Sequence, residues 1–305
     1  MFIASSRLLS RAARSIGALG ACVVLSALSQ AQLSYFSATL NAAQETPPTP
    51  SPATGVGCLT LDSSTNQISW NVTFSGLLGP ENAAHIHQGA IGVPGGIIVA
   101  IPLGNPSTGT AALTPAQAAT LLAGQYYFNI HSNAFPGGEI RGQILLTAAP
   151  TPFCFGDGTS GPCPCANNSA VGANEGCLHN PGVVGGKLVA SGAPSIQCDN
   201  LQLCASQLLG TNCLFVQGST APAGPFPFGD GVRCIGGQLR RIAISPINGG
   251  NACLGGASTP STISTLGSVV AGNTYGYQVW YRDNSAYCTA FAYNMTNGVL
   301  ATWAP

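Results

Sequence analysis

Residues 125–146 read QYYFNIHSNAFPGGEIRGQILL. Tyr126, Phe128 and Ile130 share one face, while Tyr127, Asn129 and His131 share the other. Such alternation is the period of a strand with one buried side. Pro136-Gly137-Gly138 then turns the chain, and in residues 139–146 Ile140 and Ile144 oppose Glu139, Arg141 and Gln143. Two alternating runs around a tight turn predict an antiparallel hairpin. Residues 67–74 repeat the pattern, with Ile68, Trp70, Val72 and Phe74 facing away from Ser69, Asn71 and Thr73. Further strands are expected at 34–40, 55–61, 83–87 and 97–101. One helix interrupts them: Thr114 caps it, Pro115 takes its first position and Gln117 completes a capping box.

Beyond residue 150 the candidate strands are 187–191, 201–205, 213–217, 239–244 and 274–282. In the last, Tyr275, Tyr277, Val279 and Tyr281 alternate with Gly276, Gln278 and Trp280. One face is read as core and the other as a possible sugar-stacking platform, with core or interface packing as the default for both. With 40 Gly and 22 Pro in 305 residues, turns come at short intervals. The expected class is all-β, two successive β-sandwiches of which the second is disulfide-rich. The expected organisation is a signal peptide at 1–31, a first domain at 33–148, a Pro/Ala linker at 149–152 and a cysteine-rich β domain at 153–305.

The leader has three parts. Arg7, Arg11 and Arg14 precede the apolar run 16–28, and Ser29-Gln30-Ala31 offers small residues for cleavage after Ala31. That run is too short to span a bilayer, so no transmembrane segment is expected after cleavage. A rival reading makes Leu19-Gly20-Ala21-Cys22 a lipoprotein signal, but it leaves only a short apolar core before Cys22. The expected location is secreted, extracellular or cell-envelope. Without the leader, six basic side chains face nine acidic ones. No basic patch for nucleic acid remains, and an extracellular protein or a glycan is the expected partner. Charged residues are 6% of the chain, against about 25% in an average domain, so solubility rests on uncharged polar groups.

Between the leader and residue 150 the only cysteine is Cys58. Ten follow: Cys154, Cys163, Cys165, Cys177, Cys198, Cys204, Cys213, Cys234, Cys253 and Cys288. An even set in an exported segment reads as five disulfides of open connectivity. Cys58 is then the odd one, a small buried hydrophobe or a site of covalent dimerisation. Cys154, Cys163 and Cys165 also suit thiolate ligation, but no second close pair follows at zinc-finger spacing.

The succession Ala38-Thr39-Leu40, Glu45-Thr46-Pro47-Pro48, Gly55, Ala84-His85-Ile86-His87-Gln88-Gly89, Leu113-Thr114, Tyr127-Phe128-Asn129-Ile130-His131 and Gly137-Gly138-Glu139-Ile140-Arg141-Gly142-Gln143 resembles the CHRD domain. That domain is named from chordin and is also found in secreted bacterial proteins. The resemblance covers nearly all of residues 35–146. It implies an immunoglobulin-like or superoxide-dismutase-like β-sandwich with no established catalytic role. Growth-factor antagonism is not implied, because chordin's cysteine-rich ligand-binding repeats have no counterpart here. Residues 154–158, 162–165, 277–282 and 302–305 resemble a cysteine-rich C-terminal module of large secreted bacterial proteins, a resemblance that implies no activity.

His85 and His87 lie two apart on a strand, so both rings leave on one face with Cα atoms about 6.5 to 7 Å apart. His131 ends another strand, and Glu139 and Arg141 begin its hairpin partner. All five are expected to converge at one end of the sandwich. The reading given precedence is a structural polar network of His85, His87, His131, Glu139 and Arg141 that pins the hairpin, since buried polar groups need partners. The alternative is a Cu or Zn site on His85, His87 and His131. The His-x-His pair is similar to copper ligands of Cu/Zn superoxide dismutases, but a fourth histidine and the bridging and zinc ligands are missing.

No catalytic or cofactor-binding residue is assigned. There is no Gly-x-Ser-x-Gly elbow or phosphate loop, and the acidic residues are scattered. Gly156-Asp157-Gly158 and Gly229-Asp230-Gly231 lack the regular oxygen spacing of a calcium loop. Asn71, Asn167 and Asn294 fit the glycosylation pattern. The expected function is a secreted, non-catalytic binding or structural role. Its alternative is a Cu- or Zn-dependent redox or hydrolytic protein using His85, His87 and His131.

Overall fold

The alternation around residue 130 becomes the middle of an eight-stranded antiparallel sheet in the computed structural model, which describes residues 33–180, 182–256, 261–283 and 287–305. The expected leader lies outside the described residues. The elements are β1 (Leu33–Asn41), β2 (Thr54–Asp62), β3 (Gln67–Ser75), β4 (Glu81–Gln88), β5 (Ile97–Ala100), β6 (Ser107–Ala112), helix α1 (Pro115–Leu122), β7 (Tyr126–Ser132) and β8 (Ile140–Leu146). Their order is β5-β4-β7-β8-β1-β2-β3-β6.

The two edge strands β5 and β6 are consecutive in the chain and joined only by residues 101–106. The sheet therefore folds over on itself and encloses its apolar face. Phe36, Leu61, Trp70, Ile86, Phe128 and Ile140 fill the space within. Gly57 is required there, because a Cβ would sit 2.5 Å from the Phe128 ring. The helix start is as expected: Thr114 and Gln117 exchange side-chain and backbone hydrogen bonds as a capping box, and Leu121 is buried.

The second half comprises β9 (Thr151–Phe153), β10 (Lys187–Ser191), β11 (Gln202–Ser206), β12 (Asn212–Thr220), β13 (Phe226–Phe228), β14 (Gly231–Arg233), β15 (Gly236–Pro246), β16 (Ala252–Gly255), α2 (Ile263–Gly267), β17 (Thr274–Arg282), β18 (Tyr293–Met295) and β19 (Gly298–Thr302). The sheet β10-β11-β16 packs on the sheet β15-β12-β17-β19-β9, in which β18 also pairs with β17. Between them lie Leu203, Phe215, Tyr277, Tyr281 and Trp303. Trp303 is completely buried and its Nε1 donates to the Tyr277 hydroxyl at 3.0 Å. The tyrosine face of β17 is thus core, and Trp280 points the other way. The expected linker is largely structured. Thr147 N donates to Tyr35 O at 2.8 Å, and Thr151 and Pro152 already pair with β19.

Among the described residues five disulfides form: Cys58–Cys198, Cys154–Cys234, Cys163–Cys177, Cys165–Cys288 and Cys204–Cys253. Two expectations are corrected. Cys58 is not left over, because it occupies an outward position of β2, between inward Gly57 and Leu59, and meets Cys198 there. Cys213, expected in a bridge, is a free thiol: it shares the inward face of β12 with Phe215, and burial pushes its pKa up to about 11. With Cys154, Cys163 and Cys165 in bridges, the thiolate-metal alternative is also gone.

The remaining motifs have structural employment. Asp230 is fully buried and accepts from Tyr287 N, Thr289 N and Thr289 Oγ1. Asn167 and Asn294 are buried too, donating to backbone carbonyls, so Asn71 is the accessible one of the three glycosylation candidates. Among the described residues no helix is long and apolar enough to cross a membrane.

Candidate metal centre

Strand alternation sends Ala84 and Ile86 of β4 into the first core and His85 and His87 to the opposite face. On β7, Phe128 and Ile130 point inward, and Tyr127, Asn129 and His131 join the histidine side. The register sets His85 opposite Asn129, His87 opposite Tyr127 and His131 opposite Ala83. His131 is therefore the diagonal neighbour of His85, within reach of a long side chain.

The three rings converge. Ring centroids are 5.3 Å apart for His85 and His87, 5.0 Å for His85 and His131, and 6.0 Å for His87 and His131. One nitrogen from each ring lies within 4.8 Å of the others. His85 Nδ1 is 3.1 Å from His131 Nε2.

Two of the tautomers are fixed by backbone. His87 Nδ1 is 2.9 Å from Gly95 O, and His131 Nδ1 is 3.0 Å from Pro136 O. A carbonyl only accepts, so each Nδ1 carries the proton and each neutral ring keeps its lone pair on Nε2. His87 Nε2 is buried and has no hydrogen-bond partner among the described residues. Burial holds all three imidazoles below their ordinary pKa; the neighbouring histidines add to this for His85, and the Gly95 and Pro136 carbonyls oppose it for His87 and His131. The rings are therefore neutral at pH 7, the state in which imidazole ligates a metal.

A loop over residues 89–96 covers this face. Gly95 N donates to the Tyr127 hydroxyl at 3.1 Å, Arg141 Nη2 donates to Ala90 O at 2.8 Å, and Gln143 Nε2 donates to Gly89 O at 3.0 Å. The Tyr127 ring stacks on His87, with centroids 5.0 Å apart and planes 8° from parallel. Arg141 lies 3.6 Å above the same ring and is 2% exposed. This cation is thus held by a π face and carbonyls.

Glu139 is placed elsewhere. Its Oε1 accepts from Ser51 Oγ at 2.5 Å and Leu78 N at 2.7 Å, and its Oε2 accepts from Ser132 Oγ. The five residues expected to form one network therefore divide: the histidines cluster, Arg141 braces them through Tyr127, and Glu139 ties three backbone segments together.

Sequence reasoning missed three participants. Gly95 and Pro136 both lie in Pro-Gly-Gly turns, at 94–96 and 136–138, and the repetition of that tripeptide after each histidine strand was the available signal. Glu45 is the third. It is buried beside Asn129 and Gly138, and burial raises its carboxyl to about 7, against the opposing effects of Arg141 and the Thr46 N–H.

The CHRD domain family model matches residues 36–144, and this segment is a CHRD domain. No curated protein and no solved structure gives a significant match to the chain.

Proposed function

We propose that this is an exported, non-catalytic protein whose CHRD domain holds one Cu or Zn ion on His85, His87 and His131, in a binding or structural role outside the cytoplasm. The observation that carries the reading is the pair of carbonyl contacts from Gly95 and Pro136, which leave the lone pairs of His87 and His131 on Nε2, with one nitrogen of each of the three rings within 4.8 Å of the others. Acceptors that hold the proton on the other ring nitrogen are the usual support of a metal-ligating histidine. Three imidazoles suit Cu or Zn, and they leave a position for a water or for a partner's side chain. The ion would supply a Lewis-acidic anchor for such a group. Catalysis on it would also require acid–base support, and Glu139, the nearby carboxylate in sequence, is already engaged by Ser51, Ser132 and Leu78.

Export is supported by the leader and by five disulfides, which persist in oxidising compartments. A second reading keeps the three histidines as a metal-free hydrogen-bonded cluster, favoured by the 3.1 Å contact between His85 and His131. Metal analysis of natively isolated, untagged protein separates the two. About one Cu or Zn per chain, lost in the His85→Ala/His87→Ala double variant, supports the metal reading. Metal below about a tenth of stoichiometry after incubation with Cu and Zn salts establishes the cluster instead.

A further inference from the structure

The outward face of the second sandwich carries a groove of about 760 Å³, in the size range of ligand sites. Its floor runs across four strands, where Ile244 pairs with Leu214, Leu214 with Trp280, and Trp280 with Met295. Around this apolar row stand Arg241 of β15, Arg233 of β14 and Arg282 of β17, with Tyr293 and Phe228 along one side. No Asp or Glu is among the described residues that line it. The whole of residues 33–305 has only six basic groups against nine acidic, so half of the cations gather on one groove of an acidic chain. A distribution of that kind selects an anion.

The arginines are spread out. Arg241 lies opposite Val216, whereas Tyr281 lies opposite Cys213 and Arg282 is the next residue outward. Four residues of strand, roughly 13 Å, thus separate the backbone positions from which the two arginines leave the sheet. A fatty acid has one charged end and satisfies one such position. The central floor strands β12 and β17 are paired on both sides, so a peptide lying along the middle of the row finds side chains but no free ladder, which the outer edge of β15 offers instead. An acidic saccharide meets both demands: its carboxylates recur along its length for bidentate guanidinium contacts, and its ring faces stack on Trp280 and Tyr293. Trp280 and Tyr293 lie with ring centroids 5.9 Å apart, and Arg282 stands 5.7 Å from the Trp280 ring.

We infer that this groove binds a polyanionic, uronate-containing oligosaccharide.

The test uses the full, disulfide-intact chain and calorimetric titration with four probes: a hexauronate, a neutral glucohexaose, hexaglutamate and decanoate. Hexauronate is expected to bind saturably, at least tenfold tighter than the other three, and to weaken with added salt. Arg241→Ala/Arg282→Ala and Trp280→Ala are each expected to weaken it at least tenfold with unchanged thermal unfolding. Arg241 and Arg282 are exposed and Trp280 is half-buried; should either variant melt early, Arg241→Lys/Arg282→Lys, expected to lose at least threefold, replaces it. No binding up to millimolar hexauronate, binding unaltered by the variants, or equal or tighter binding of hexaglutamate or decanoate would overturn the assignment.

Discussion

Cys58 of β2 is bonded to Cys198 in the connection between β10 and β11, with 140 residues of separation and Cα atoms 5.7 Å apart. Beside this bond Thr39 Oγ1 donates to Gln197 Oε1 at 3.1 Å. The CHRD domain and the cysteine-rich sandwich are therefore stapled, strand β2 to the β10–β11 connection, as well as joined in sequence. The bond closes a large loop, and a cross-link of that span restricts the unfolded chain strongly.

Breaking this staple should cost about 3 to 5 kcal/mol of stability. Cys58→Ser and Cys198→Ser should destabilise by similar amounts in urea titrations, and the double variant by little more than either alone. Additive losses would mean that the two sulfurs are not partners.

The Pro-Gly-Gly loop should control the metal. A Cβ at Gly95 would stand 1.5 Å from Gln88 O, so Gly95→Ala must displace the carbonyl that fixes His87. Loss of the acceptor that orients a ligating imidazole typically lowers metal affinity about 10- to 100-fold. Competition titration of Zn²⁺ against a chromogenic chelator should show that drop, with a smaller one for the neighbouring open position in Gly96→Ala, where a Cβ meets nothing within 4 Å.

Glu45 should make stability fall as pH rises. Its folded carboxyl titrates at about 7 and its ordinary value is 4.5, so between these values the native protein holds a proton that the unfolded chain has released. The accumulated penalty above pH 7 is about 3 kcal/mol. Glu45→Gln should therefore gain stability over the parent as pH rises from 4 to 8. The histidines act with the opposite sign. Their folded values lie below 6.5, so as pH falls below 6.5 the unfolded chain takes up protons that the buried rings refuse, and metal-free protein weakens toward acid. Denaturant midpoints of the parent and of Glu45→Gln across this range check both slopes.

The C-terminal Trp303 should be a principal core residue. It is fully enclosed and hydrogen-bonded to Tyr277, so Trp303→Ala should cost about 3 to 5 kcal/mol. Chemical denaturation followed by tyrosine fluorescence measures it.

Most of the first sheet was legible because one buried face imposes alternation. The runs at 67–74 and 126–131 became β3 and β7 within a residue or two, and Pro136-Gly137-Gly138 placed the hairpin turn. The capping box gave α1 for the same local reason. Strand β6 was missed, since Ser107 to Ala112 carries no apolar alternation and owes its conformation to pairing with β3. The histidine side of the sheet was readable from spacing, but the company of Glu139 and Arg141 was not. Their directions depend on Ser51, Leu78 and the 89–96 loop, all remote in sequence. Cysteine pairing failed for a similar reason: count and spacing do not reveal that Cys58 faces outward toward Cys198 while Cys213 faces the core.

Long-range ¹H–¹⁵N histidine spectra of the metal-stripped full chain, followed during titration with Zn²⁺, test the three-histidine site. Saturation is expected at one equivalent, with coordination shifts on Nε2 of His87, Nε2 of His131 and Nδ1 of His85. Spectra that do not respond to stoichiometric Zn²⁺, or that show His87 or His131 bound through Nδ1, would contradict it.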